Sequence, residues 1–164
     1  MRILPATLAS ASFVCANLRE ADREEAFCQL PDGFKTHELA YAMLMSGDNY
    51  VAEKREREPV AFFGVSPMNA AAYSIWAIGT DEFKRAVPAM QRFIVDNIVP
   101  DLMDRGVRIL EARAMEKHLT AHQWIHRTGG RPSGMPFEYG RNGEKFVLFR
   151  WTKDALQLHQ RKRK

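Results

Sequence analysis

Apolar positions along the chain follow two spacings, one of three to four residues and one of two or fewer, and the switches between them outline the elements. Met1 to Ala6 reads as a short edge strand. Between Leu8 and Leu30 the residues Phe13, Val14, Leu18, Ala21 and Phe27 recur at helical spacing, and Pro31-Asp32-Gly33 ends that helix. Thr36 stands where it would cap a second helix through Tyr41 and Met43 to Met45, with Gly47 just past its end. The pattern then turns to β: Asn49 to Lys54 and Pro59 to Val65 form a hairpin across Arg55-Glu56-Arg57-Glu58, and Ser66 to Asn69 follow as a loop. Ala71 to Ile78 is a mostly apolar run of strand length, as found inside a sheet, and it stops at Gly79.

From Phe83 to Met103 apolar residues return at steps of three or four, which predicts a long helix over Asp81 to Arg105. Pro88 and Pro100 must kink it or lie near its ends. Gly106 closes it, and Val107 to Ala114 reads as another strand. A strand, a helical crossover and a strand imply parallel pairing. A shorter helix over His118 to Thr128 is stopped by Gly129-Gly130 and Pro132. Finally, Phe137 to Tyr139 and Lys145 to Trp151 flank Asn142-Gly143, a strong hairpin signal. The expected order is β-α-α-β-β-β-α-β-α-β-β.

Length and composition narrow the class. At 164 residues with 46% hydrophobic and 27% charged residues, the chain reads as one ordinary globular domain over 1–155, followed by a basic tail over 156–164. No apolar run reaches the ~18 residues of a membrane span, and the N-terminus lacks the apolar core of a secretion signal, so a cytosolic setting is expected. The net charge of +4 equals the charge of Arg161-Lys162-Arg163-Lys164 alone, which leaves 20 basic and 20 acidic residues elsewhere. A nucleic-acid-binding body is therefore unsupported, although the tail offers weak, salt-sensitive phosphate contacts. Cys15 and Cys28 would lie about 140° apart around one helix, which suits free thiols rather than a disulfide.

Several constellations carry little chemistry. His118, His122 and His126 would form one ridge of a helix, but no His-Glu-x-x-His pattern and no nearby cysteine accompany them, so no metal is expected. Trp76, Trp124, Trp151, Tyr73 and Tyr139 could line a cleft or pack a core. A phosphate-binding P-loop and a Gly-x-Ser-x-Gly elbow are both lacking.

The order of elements, with a central strand leading into a long helix, a second central strand, a shorter helix and a final hairpin, resembles the GNAT superfamily of N-acetyltransferases over nearly the whole chain. Asn17-Leu18-Arg19-Glu20-Ala21-Asp22-Arg23, Glu58 to Val65, Trp76-x-x-Gly79-Thr80-Asp81 and Trp124-Ile125-x-x-x-Gly129-Gly130 more narrowly resemble the GNAT-like proteins of tailed phages, including internal virion and morphogenesis proteins. This resemblance implies an α/β fold: a mixed, mostly antiparallel sheet with two central parallel strands splayed apart, flanked by helices and ending in a β-hairpin. It also implies an acyl-CoA site between those strands, its pyrophosphate held by a loop patterned Gln/Arg-x-x-Gly-x-Gly/Ala.

Here the matching loop is Trp76-Ala77-Ile78-Gly79-Thr80-Asp81, in which only the glycine agrees. Thr80 reads as an N-cap, with Asp81 and Glu82 placing two carboxylates in the first helical turn. At ~5 Å and an effective dielectric of ~20, each would repel a phosphate charge by about 3 kcal/mol. Cofactor binding is therefore expected to be weak or lost. The family's tyrosine that protonates the leaving thiolate falls on Ile125, which has no proton to give. Glu111, Glu116 and His118 are the nearest candidate bases, although both glutamates read first as surface carboxylates.

Two functions stay open. One is a phage structural or morphogenetic protein acting on phage or host proteins, in the host cytoplasm or incorporated in the virion. The other is an acetyl-CoA-dependent N-acetyltransferase of a host protein or small amine.

Overall fold

The computed structural model of the chain describes residues 1–54, 57–152 and 154. Its elements are β1 (Arg2–Pro5), α1 (Leu8–Ala16), α2 (Glu20–Phe27), α3 (Thr36–Leu44), β2 (Asp48–Glu53), β3 (Pro59–Asn69), β4 (Ala72–Gly79), α4 (Phe83–Phe93), a wide π turn (Ile94–Ile98), α5 (Val99–Asp104), β5 (Ile109–Met115), α6 (Leu119–Arg127), β6 (Arg131–Pro132), β7 (Phe137–Glu138) and β8 (Lys145–Thr152). The strands form one sheet in the order β1-β2-β3-β4-β5-β8-β6, with β7 also on β8. All pairs are antiparallel except β4 with β5. The expected fold class is therefore observed, including the terminal hairpin, in which Phe137 faces Phe146 and Glu138 faces Lys145.

Sequence and structure part at several places. First, the helix expected over Leu8 to Leu30 is two helices. The Asn17 side chain donates to the Phe13 carbonyl at 2.8 Å, competing with the helical backbone, and Arg19 takes an extended ψ of 153°. The break lets α2 leave the face on which α1 buries Ala11, Val14 and Cys15. Second, Ser66 to Asn69 continue β3 rather than looping, because they pair with Ala72 to Ser74 of β4. Third, the long helix runs on through the π turn, which sits where Pro100 offers no N–H and its ring would crowd the carbonyl of residue 96. Fourth, Thr36 is the first residue of α3 and not its cap; the end is tied instead by the Glu38 carboxylate, which accepts from the Lys35 N–H at 2.7 Å. The basic tail and Ala155 lie outside the described residues.

The sheet divides the core into two layers. Ile75 and Ala77 of β4 pack with α4, α5 and α6, together with Phe63, Met90, Leu102, Leu110 and Phe149. Trp76 and Ile78, which alternate with them, pack toward α1 and α3 with Phe62, Val14 and Leu39. Among the described residues, no helix is long and apolar enough to cross a membrane.

Both cysteines are buried free thiols, Cys15 in α1 and Cys28 just after α2. Burial pushes the Cys15 thiol up to about 12 and the Cys28 thiol up to about 11. At about pH 8 neither holds much thiolate, the reactive form. Iodoacetamide should therefore leave both unmodified in the native protein and alkylate both in urea, as read by mass spectrometry.

Candidate functional site

The parallel pair β4 and β5 is in register for only three steps, from Ala72 opposite Ile109 to Ser74 opposite Glu111. Beyond Ser74 the two strands diverge toward their C-terminal ends, leaving a cavity of about 410 Å³. Ile75, Ala77, Ala112 and Ala114 line its sides, and Phe83, Trp124, Ile125 and Trp151 close it from the α4 and α6 layer. Trp76, Leu39 and Met43 line it from the opposite layer. The cavity therefore passes through the sheet.

Helix α2 lies across the mouth of this notch and joins its two banks. Asp22, only 3% exposed, places Oδ2 2.7 Å from the Gly79 N–H at the end of β4, while Oδ1 accepts from Arg19 Nη2 at 2.7 Å. The Arg19 N–H in turn donates to the Gly79 carbonyl at 2.9 Å. One helical turn later, Glu25 Oε2 accepts from the Met115 N–H at the end of β5 at 2.9 Å and meets His118 Nδ1 at 2.9 Å. Lys117 pairs with Glu24 on the same side. Two carboxylates at i and i+3, which share a helix face, thus bridge strand ends that no longer bond to each other. Hydrogen bonds to charged groups of this kind contribute about 1.5–3 kcal/mol each.

Three N–H groups at the end of β4 and in the loop after it have partners. The Gly79 N–H goes to Asp22, the Thr80 N–H donates to the Val60 carbonyl at 3.0 Å, and the Glu82 N–H donates to Thr80 Oγ1 at 3.3 Å. α4 begins at Phe83 with Glu82 as its cap, so Thr80 serves the preceding turn and is not the N-cap expected of it. Gly79 is required by packing alone, since a Cβ there would fall on the Phe83 ring and 2.6 Å from the Val60 carbonyl.

Asp81 and Glu82, expected to repel a diphosphate from within, do not line the cavity. Asp81 is exposed, and Glu82 pairs with Lys54 and Arg85. The Lys54 ammonium holds Glu82 below the usual carboxylate range. The carboxylate at the loop is Asp22, from a helix 57 positions earlier in the chain. Burial raises its pKa, outweighing Arg19 and the Gly79 N–H, which pull it down.

The three candidate bases separate. Glu111 is 5% exposed beside β8, where its Oε1 accepts from Arg150 Nε at 2.7 Å and its Oε2 lies 3.6 Å from Arg113. It is held in place as half of a cross-strand ion pair. Glu116 is exposed past the end of β5. Only His118 lines the cavity, and its partner Glu25 was invisible to sequence reasoning.

The other two histidines of the ridge point elsewhere: His122 bonds the Met115 carbonyl at 2.9 Å, and both His122 and His126 stack against Phe149. Among the described residues, no group of three His, Cys, Asp or Glu could hold a metal ion. Trp76, Trp124, Trp151 and Tyr139 do meet around one cavity, whereas Tyr73 packs into the core. Ile125, at the position of the family's tyrosine, is 8% exposed on the cavity wall. Just beyond it, Gly129 takes a φ of +93°, which ends α6 in the left-handed conformation that favours glycine.

Solved structures share this architecture. Aminoglycoside 6'-acetyltransferase type Ii superposes with a TM-score of 0.68 at 16% identity, covering 93% of this chain and 97% of that one. Spermidine N-acetyltransferase from Vibrio cholerae, in complex with CoA and spermine, gives 0.71 at 11% identity over 95% and 97%. A GNAT superfamily phosphinothricin acetyltransferase from Sinorhizobium meliloti, in complex with AcCoA, gives 0.69 at 13% identity over 92% and 87%. The fold is the GNAT fold. At these identities the likeness establishes architecture and nothing finer. No family of sequences and no curated protein matches the chain.

Within the GNAT frame, α2 lies across the mouth of the notch between the splayed strands. Replacing Glu25 by Ala strands the Met115 N–H and the His118 imidazole, at a cost of about 1–3 kcal/mol. Urea denaturation should show that loss, with Glu25→Gln recovering part of it.

Proposed function

We propose that this chain uses the GNAT fold as a binding scaffold with its nucleotide loop closed, and serves as a structural or morphogenetic protein of a tailed phage. The observation that carries the first part is the Asp22 carboxylate on the Gly79 N–H, at 2.7 Å. A diphosphate seated on this loop would have to displace a buried carboxylate that already has two donors. Ile125 in place of a proton-donating tyrosine adds support. The phage assignment rests on the resemblance of the segments around Asn17–Arg23, Glu58–Val65, Trp76–Asp81 and Trp124–Gly130. Its partners on this reading are phage or host proteins, and the tail over 156–164 adds weak phosphate contacts.

A specific observation favours a second reading, N-acetyltransferase activity. His118 reaches the through-sheet cavity with Glu25 against its Nδ1, which leaves Nε2 as the remaining nitrogen, and a carboxylate-oriented imidazole is a general-base arrangement. On that reading acetyl-CoA is the cofactor and an amine the acceptor, by analogy with the superposed aminoglycoside and spermidine acetyltransferases.

Calorimetry separates the two. The scaffold reading expects no saturable binding of acetyl-CoA or CoA to the wild-type protein up to roughly millimolar ligand, and no thermal stabilisation, where a ligand at 100 times its Kd would add ~2.7 kcal/mol. Low-micromolar binding with turnover of an amine would establish the enzyme instead. Mass spectrometry of purified virions should detect the chain, and its absence there would remove it from the particle.

A further inference from the structure

We propose that Arg19 and the Gly79 N–H form an oxyanion site for which Asp22 is a resident, displaceable ligand, so that the first turn of α2 acts as an autoinhibitory latch. The inference rests on the closed-loop reading above and adds that the loop is blocked rather than lost.

Both donors are held independently of the carboxylate they bind. The Arg19 guanidinium lies 4.1 Å above the centre of the Phe83 ring, and the backbone N–H of the same residue is fixed on the Gly79 carbonyl. Gly79 is fixed from the other side by β3, where it stands opposite Ala61. Arg19 keeps a further buried donor, Nε, without a hydrogen-bond partner among the described residues. If Asp22 swings away, a guanidinium and a backbone amide are left converging on one vacant position, and a phosphate oxygen suits both donors. Arg19 thereby supplies the positive charge that the loop itself lacks, since Trp76 stands at the loop's first position.

The latch has a second foot. Glu25 ties α2 to Met115 and His118 on the far bank, and Lys117 ties it through Glu24. Asp22 is the only residue of the helix that is buried; Ala26 and Phe27 are half-buried against the α1 and α3 core, and the apolar Ala21 is exposed. The first turn, which carries Asp22, is therefore held to the rest of the fold by polar bonds and can detach at a lower cost than the apolar second turn. The break at Asn17 to Arg19 gives it a pivot.

The test compares the wild type with Asp22→Ala, Asp22→Asn and the double variant Asp22→Ala/Arg19→Ala, each checked for folding by circular dichroism. The probes are inorganic pyrophosphate and CoA, followed by calorimetry and by the amide resonance of Gly79. Asp22→Ala should bind pyrophosphate at least tenfold tighter than the wild type, with the Gly79 resonance shifting on titration, and the double variant should lose that gain. Asp22→Asn, which keeps size and shape but not charge, should fall between and serves should the alanine variant fail to fold. If the folded single variants bind no tighter than the wild type, or if the gain survives removal of Arg19, the latch is wrong. Binding of CoA by the wild type would instead overturn the closed-loop reading, so the two failures are distinguishable.

Discussion

One buried carboxylate, Asp22, sits where this sheet opens. Where β4 and β5 part company, their facing edges carry backbone groups with no strand to bond, and buried amides of that kind must find partners. In a GNAT fold that exposed edge is what the splayed notch offers a ligand. Here Asp22 and Glu25 each take one such amide, one on each bank. The arrangement is costly in itself, because burying an ion pair such as Asp22 with Arg19 gains little net stability over an apolar pair. What it does is fix position: α2 docks with a carboxylate on the end of each strand.

That constraint orders the surrounding features. Phe83 at the start of α4 has Arg19 on its face and Trp124 against its edge, with ring centres 5.9 Å apart, so the docking of α2 is coupled to the wall of the cavity. His118 is held by the same carboxylate that holds Met115, which makes the one cavity-lining candidate base part of the closure. A protein that binds through this face and an enzyme that turns over at this notch would therefore share a first event, movement of α2.

Much of the frame was legible in the sequence because local chemistry determines it. The apolar run over Ala71 to Ile78, the helical spacing from Phe83 to Met103 and the Asn142-Gly143 turn each specify an element without reference to distant residues. Boundaries failed where a side chain competes with the backbone, as Asn17 does, where a proline is absorbed by a wider turn, as at Pro100, and where cross-strand pairing carries a strand on, as at Ser66 to Asn69. The closure of the loop was not legible. Acidic residues next to Gly79 in sequence drew attention, yet Asp81 is exposed and Glu82 is occupied by Lys54 and Arg85. The carboxylate that matters comes from 57 positions away, and the spacing of Arg19 and Asp22 looks like any helical ion pair.

The bond between Asp22 and Gly79 can be observed in solution through the amide proton of Gly79. Because burial raises the carboxyl pKa, that resonance should titrate with a midpoint above the ordinary aspartate value of 3.8, and Asp22→Asn should abolish the titration. A Gly79 resonance indifferent both to acid pH and to Asp22→Asn would mean that the carboxylate does not hold the loop, and the account of a notch closed from within would fail.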